Sequence, residues 1–441
     1  MKATTRKHLH LPGLLERARS QFKRISDPLE GKTNYALPDC LMSGLALFGL
    51  KYPSLLQFDD DSHGKERIIH NLKMLYGIDR VPSDTYFRER LDPIEPLELQ
   101  RVINRIIAQL QRARVLESYR YLGDYYVLSI DGTGYFSSHE IHCESCCVKH
   151  HRDGSVTYYH QMLAAVLVHP DRKTVFPFSL EPIVKKDGMS KNDCEHNALK
   201  RLLLNVRRAH PHLKLLVTLD GLYADGVIIK LLKELDIRFI ITAKPADLKY
   251  LYEFYAAAKK VVLEQKEGLT THTCHWVNQL PLNDTHADCH VNLLCYDEQV
   301  QHPKKARIKQ QRFSWITDLE LTEKTVIAIM RGGRARWKIE NETFNTLKNQ
   351  GYQFEHNFGH GQEHLSVVLA YLMLTAFLID QIQEYGCRYF KAALRERKRL
   401  TRLWDKMRGL FLYYFVESWA DLYTAIIEDK GARLKDLLNT S

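Results

Sequence analysis

Three carboxylates sit in settings that suit metal-dependent phosphoryl transfer. Asp131 closes the apolar run Tyr125-Tyr126-Val127-Leu128-Ser129-Ile130 and is followed by Gly132-Thr133-Gly134. Asp220 closes a second run, Leu213 to Leu219, and is followed by Gly221. Glu340 lies in the stretch from Arg334 to Lys348, which reads as a basic helix. Mg²⁺ is a hard ion that takes one or two carboxylates and fills its other positions with water or phosphate oxygens. Two such ions can stabilise both the attacking and the leaving oxygen of an in-line displacement on phosphate. An Asp after a buried strand is also a common turn former or helix cap, so neither aspartate is telling alone. The combination is more specific: both strand ends carry Asp-Gly, and arginines flank the glutamate.

In the order Asp, Asp, Glu the chain resembles the DDE transposases of bacterial insertion sequences, in particular the group with a β-strand insertion between the second Asp and the Glu. The glutamate motif of that group reads Tyr, two residues, Arg, three residues, Glu, six residues, Lys. Here Arg336, three residues and Glu340 match, Gly333 holds the Tyr position, and Lys348 falls one residue later. A helix turns about 100° per residue, so seven and eight residues from Glu340 fall on broadly the same face. The second motif is usually Asp-x-Gly followed by Tyr or Phe, whereas this chain has Asp220-Gly221-Leu222-Tyr223. Glu342 rivals Glu340, but only Glu340 keeps the three-residue gap from an arginine of the Arg336-Trp337 pair.

The resemblance covers roughly residues 119 to 385, and it implies a ribonuclease H-like fold. It implies that Asp131, Asp220 and Glu340 are catalytic and hold Mg²⁺, with Mn²⁺ as a substitute, while Arg336 and Lys348 bind DNA. The implied activity is cleavage at the ends of an insertion sequence and joining of the 3′-hydroxyl ends to target DNA. Its partners would be double-stranded DNA, as terminal inverted repeats and target, and a second copy of the chain in a homodimer on that DNA. The alternatives are a ribonuclease H-like nuclease without strand transfer and a catalytically idle, transposase-derived DNA-binding protein.

The 441 residues, 45% of them hydrophobic, suffice for a sizeable core and more than one domain. With 5 Trp, 23 Tyr and 17 Phe the chain is no disordered polymer. A net charge of +10 and a pI of 9.0 favour a polyanionic partner, nucleic acid before membrane. Nine cysteines without a secretory signal suit free thiols in a reducing cytoplasm; the resemblance implies a bacterial one, with the protein at the nucleoid. The apolar stretch from Leu365 to Ile379 is short for a membrane span and reads as a buried core helix, so no membrane role is expected. No phosphate-binding glycine loop or dinucleotide fingerprint occurs, so no nucleotide cofactor is expected.

The expected fold is α/β: a ribonuclease H-like mixed sheet interrupted by a β-rich insertion, with an amino-terminal helical domain and a helical carboxyl terminus. Residues 1–118 read as a helical, DNA-binding domain. Their first 24 residues hold seven Lys or Arg, Lys2 to Arg24, against one acid, Glu16. A helix opening at Ser83 or Asp84 and carrying Tyr86, Arg88 and Arg90 is either the reading helix of a helix-turn-helix or an ordinary amphipathic helix. Residues 119–246 form the first part of the catalytic core. Strands are expected at 125–130, 158–168, 174–183, 213–219 and 238–242, with helices at 193–210 and 225–235. Asn192 with Glu195 three residues on reads as a capping box. The first and fourth strands of this order lie side by side, which would bring Asp131 to Asp220.

Residues 247–320 read as the β insertion, with a basic tract from Lys304 to Lys309 that either grips DNA or is a solvated hairpin. Residues 321–385 complete the core with the Glu340 helix. Residues 386–441 are basic helices: between Arg388 and Arg408 nine Lys or Arg face two acids. Two further clusters bear metal-ligating types. Cys143, Cys146 and His150 are candidate Zn²⁺ ligands, although the second Cys-x-x-Cys of a zinc ribbon is missing and free cysteines in a hairpin are the alternative. His356, His360 and His364 recur every fourth residue, but Gly359 and Gly361 argue for a loop rather than one metal-binding helix face.

Overall fold

The computed structural model describes residues 9–31, 33, 35–188, 191–301 and 308–428. The chain forms two compact units. One comprises residues 115–134 and 145–344; the other comprises residues 1–114, 135–144 and 345–441.

The first unit is built on a mixed sheet. In chain order its strands are β1 (Arg120–Tyr121), β2 (Tyr125–Ser138, which runs on past the unit's edge), β3 (Cys147–His150), β4 (Val156–Val168), β5 (Phe176–Ile183), β6 (Leu215–Leu219) and β7 (Ile237–Thr242). They are followed by β8 (Val261–Glu267), β9 (Thr270–Pro281), β10 (His290–Gln301) and β11 (Ile308–Thr317). The spatial order is β3-β4-β2-β6-β7-β11-β10-β9-β8, with β5 beside β4 and β1 beside β2. The meander of the first long strands is antiparallel, because its connections are short. β6 then joins β2 in parallel and β7 joins β6 in parallel, each reached through a crossover helix, Lys191–Ala209 and Gly226–Glu234. All five residues of β6 are buried, as a central parallel strand covered on both faces requires. This is a ribonuclease H-like mixed sheet.

The insertion is β-rich, as expected. Its four strands are consecutive antiparallel hairpins, and β11 pairs with β7 through Trp315–Thr242, Ile316–Ile241 and Thr317–Ile240. The inserted strands therefore extend the catalytic sheet. Lys304, Lys305 and Arg307 of the basic tract lie outside the described residues.

In the second unit the helix Leu365–Gly386 is apolar all round because it is buried all round, packed on Leu37–Gly49 and Pro96–Arg112. Its one charge in mid-course, Asp380, meets the buried ammonium of Lys51 at 2.7 Å. In the helix Asp84–Leu91 one of the candidate reading residues is turned inward. The Arg90 side chain is fully buried and grips both oxygens of Asp27 at 2.8 and 2.7 Å, while Arg88 pairs with Asp84. Of the amino-terminal basic arm, Lys2, Arg6 and Lys7 lie outside the described residues, and Arg19 is tied to Asp39 at 2.6 Å. The segment of His356, His360 and His364 is a loop, with Gly361 at φ 70°.

Candidate active site

β2 and β6 bring the two aspartates together. The last paired rung is Ser129 with Thr218, and two residues beyond it on each strand lie Asp131 and Asp220, in the same register. Side chains two apart on a strand share a face, and neighbouring strands lie roughly 4.8 Å apart. Asp220 ends β6 and opens the short turn Gly221–Tyr223, yet its carboxylate makes no capping hydrogen bond there. The structural explanation for an aspartate at this strand end is thus absent. Gly221 is needed for close approach: a Cβ there would lie 3.2 Å from the Thr242 carbonyl oxygen.

Glu340 arrives from a different direction. The expected basic helix is interrupted. An α-helix runs Val326–Arg334, a π-helical segment covers Ile339–Phe344, and Asn345–Asn349 is α-helical again. Ser129 of β2 donates to the Arg336 carbonyl at 2.9 Å, pinning this irregular segment on the sheet face that carries Asp131. Glu340 and Glu342 both lie in the π segment, a local unwinding frequent at functional sites.

Arg336 links the carboxylates. One nitrogen donates to Asp131 Oδ2 at 2.6 Å and the other to Glu340 Oε1 at 3.2 Å. Glu342 has no share in this bridge. Burial pushes the Asp131 carboxyl up to about 6; the guanidinium of Arg336 and the Gly132 amide pull against this, and neighbouring Glu340 adds to it. Two oxygen-donor groups crowded in a desolvated corner are short of positive charge, and that donor set fits a hard divalent cation. Asp220 and Arg336 also line a cleft of 560 Å³ with Lys244, Arg312, Trp315 and Trp337. Trp337 is 49% exposed, an unusual state for so large a ring beside a polar site.

The departures from the expected motif have physical partners. A Cβ at Gly333 would lie 2.6 Å from Trp315 Nε1, so the β11 indole fills the space in which a Tyr at this position would begin. Lys348 belongs to the other unit, where it pairs with Glu355 at 2.7 Å. The zinc candidates are redistributed. Antiparallel β3 and β4 set Cys147 opposite Tyr159, so Cys146 faces His160, and its Sγ lies 3.4 Å from the ring Nε2. His150, three residues further along β3, is exposed at the far end of the hairpin and is displaced as the partner of Cys146.

Sequence reading also missed a fourth carboxylate. The helix with the expected capping box at Asn192 and Glu195 spans Lys191–Ala209, and the Asn192 side chain lies outside what the structure describes. Glu195 Oε1 accepts a hydrogen bond from the Tyr223 hydroxyl at 2.7 Å. Nothing in the spacing marks a helical glutamate lying between the two Asp-Gly motifs.

The sheet order and the strand-end aspartates define a ribonuclease H-like core. Compared with known families, residues 145–378 match the transposase DDE domain, and the chain belongs to that family of transposases. The match begins after Asp131 and takes in Asp220, Arg336, Glu340 and Lys348. Among curated protein sequences none matches.

Proposed function

We propose that the chain cuts DNA at the ends of its own insertion sequence and joins the resulting 3′-hydroxyls to target DNA, with Asp131, Asp220 and Glu340 as the catalytic carboxylates. The observation that carries this reading is the Arg336 bridge between Asp131 and Glu340, beside the strand end of Asp220. When bound by these carboxylates, Mg²⁺ or Mn²⁺ would supply the charge that stabilises the attacking and leaving oxygens. The chain's own residues bind and orient. Water attacks the phosphodiester at the element's end and breaks its P–O3′ bond, leaving a 3′-hydroxyl and a 5′-phosphate; that hydroxyl then attacks a target phosphodiester held in the same place and expels the target strand's 3′-hydroxyl. Catalysis is then positioning and electrostatics, with no covalent intermediate on the protein.

Arg336 orients Asp131 and Glu340 and presents positive charge to the scissile phosphate. Lys348 is the second phosphate ligand. Two ends cut in concert require two copies of the chain on DNA, acting at the bacterial nucleoid.

The test uses duplexes carrying the inverted repeats that flank the coding region. Asp131→Ala, Asp220→Ala and Glu340→Ala should each abolish cleavage and leave end binding within about threefold, since binding rests on contacts elsewhere. Full activity in Glu340→Ala with loss in Glu342→Ala would move the third role to Glu342. Cleavage without joining of a supplied 3′-hydroxyl end would leave a nuclease.

A further inference from the structure

We infer that Glu195 is a fourth carboxylate of this metal centre, held in position by the hydroxyl of Tyr223; the inference rests on the reading of Asp131, Asp220 and Glu340 as metal ligands. Tyr223 is the last residue of the turn that Asp220 opens, and its side chain is 1% exposed. Its hydroxyl donates to Glu195 Oε1 at 2.7 Å, which leaves Oε2 as the oxygen available to a cation. The same Oε1 sits over Gly132, the residue after Asp131: a Cβ built at Gly132 would be 3.6 Å from it. Glu195 thus reaches the turns that follow both aspartates, although it comes from the helix Lys191–Ala209 between β5 and β6. Burial raises the Tyr223 hydroxyl far above its ordinary range, and the charge of Glu195 adds to this, followed by those of Asp131 and Asp220.

A helical carboxylate beside two others is repelled by them unless a cation is shared. A role confined to anchoring Tyr223 would need only a neutral acceptor. Glutamine in place of Glu195 keeps that acceptor and removes the charge. This makes the two roles separable.

The test is Mn²⁺ titration of the full chain without DNA, followed by electron paramagnetic resonance, with metal-free thermal unfolding as a check on folding. Glu195→Gln should weaken Mn²⁺ binding by about tenfold or more with the metal-free midpoint unchanged. Tyr223→Phe should weaken it no more than Glu195→Gln does, by about tenfold, the low end of the effect of losing a positioning hydrogen bond to a ligand. The double variant should bind no worse than Glu195→Gln alone. Glu195→Asp, one methylene shorter with its charge intact, should fall between wild type and Gln and serves if the Gln variant misfolds. Wild-type Mn²⁺ affinity in Glu195→Gln, together with weakened affinity in Asp220→Asn, overturns the fourth-ligand role and spares the other three. Wild-type affinity in both Asp131→Asn and Asp220→Asn overturns the reading of the site itself.

Discussion

Asp131 is the residue on which the candidate site turns, and its environment makes a pH-dependent statement about stability. Its carboxyl stands at about 6 in the fold against an ordinary 3.8, chiefly because it is buried. A folded pKa above the unfolded one means that the fold prefers the protonated form. The contribution to stability is therefore complete below the unfolded value and is lost as pH rises through about 6. In EDTA, wild-type protein should lose thermal stability between about pH 4 and about pH 7 relative to Asp131→Asn, which has no such titration. A wild-type-to-variant difference that stays constant across that range would mean that Arg336 and the Gly132 amide compensate the burial fully. Mg²⁺ should reverse the trend in wild type, since binding requires the deprotonated carboxylate and stabilises the state that holds it. At this scale the sequence was informative: Asp131, Asp220 and Glu340 stand out by residue type and by the apolar or basic runs around them. Glu195 does not, because one glutamate in a polar amphipathic helix looks like every other until the helix is laid against β4 and β5 and its tip reaches Gly132.

At the scale of elements, what was legible followed from burial. The runs expected as strands at 158–168, 174–183 and 213–219 are found at Val156–Val168, Phe176–Ile183 and Leu215–Leu219, the last because a central parallel strand covered on both faces reads as a nearly continuous apolar run. What was not legible depends on partners distant in sequence. Arg90 reads as a surface cation until Asp27 is placed against it. The π segment is invisible to a periodicity of 3.6, as is the hydrogen bond from Ser129 on β2 to the Arg336 carbonyl just before it. Gly333 is the clearest case. As a residue near a helix end it should gain up to ~1 kcal/mol on replacement by Ala from propensity alone. Contact with the buried Trp315 ring opposes this, because overpacking a filled core costs about 1–3 kcal/mol. Gly333→Ala should therefore destabilise by about 1–2 kcal/mol in denaturant unfolding, and adding Trp315→Phe, which shortens the ring, should recover part of the loss. A stabilised Gly333→Ala would show that β11 yields easily, and the indole would then not explain why the family Tyr is absent here.

Over the whole chain the dominant physical quantity is charge. A net +10 is carried by 63 Lys and Arg against 53 acids, and structure removes some cations from service. Arg19, Arg90, Arg201, Arg334 and Arg336 are engaged in ion pairs with Asp39, Asp27, Glu181, Glu298 and Asp131. Arg395, Lys398 and Arg402 are exposed, on or between the helices Arg388–Arg397 and Leu400–Tyr413. A helix face rich in exposed cations is by default merely solvated, so its use has to be read from salt dependence. Each phosphate contact adds roughly −0.9 to the slope of log affinity against log salt. If these three side chains touch phosphate, neutralising them together should flatten that slope by about two to three units. Affinity for inverted-repeat and random duplexes should fall by the same factor, because phosphate contacts carry no sequence information. Fluorescence anisotropy across a salt series measures both quantities. A slope that does not move would assign this helix pair to contacts between copies of the chain, and sedimentation of the triple variant with and without DNA would then register the change instead.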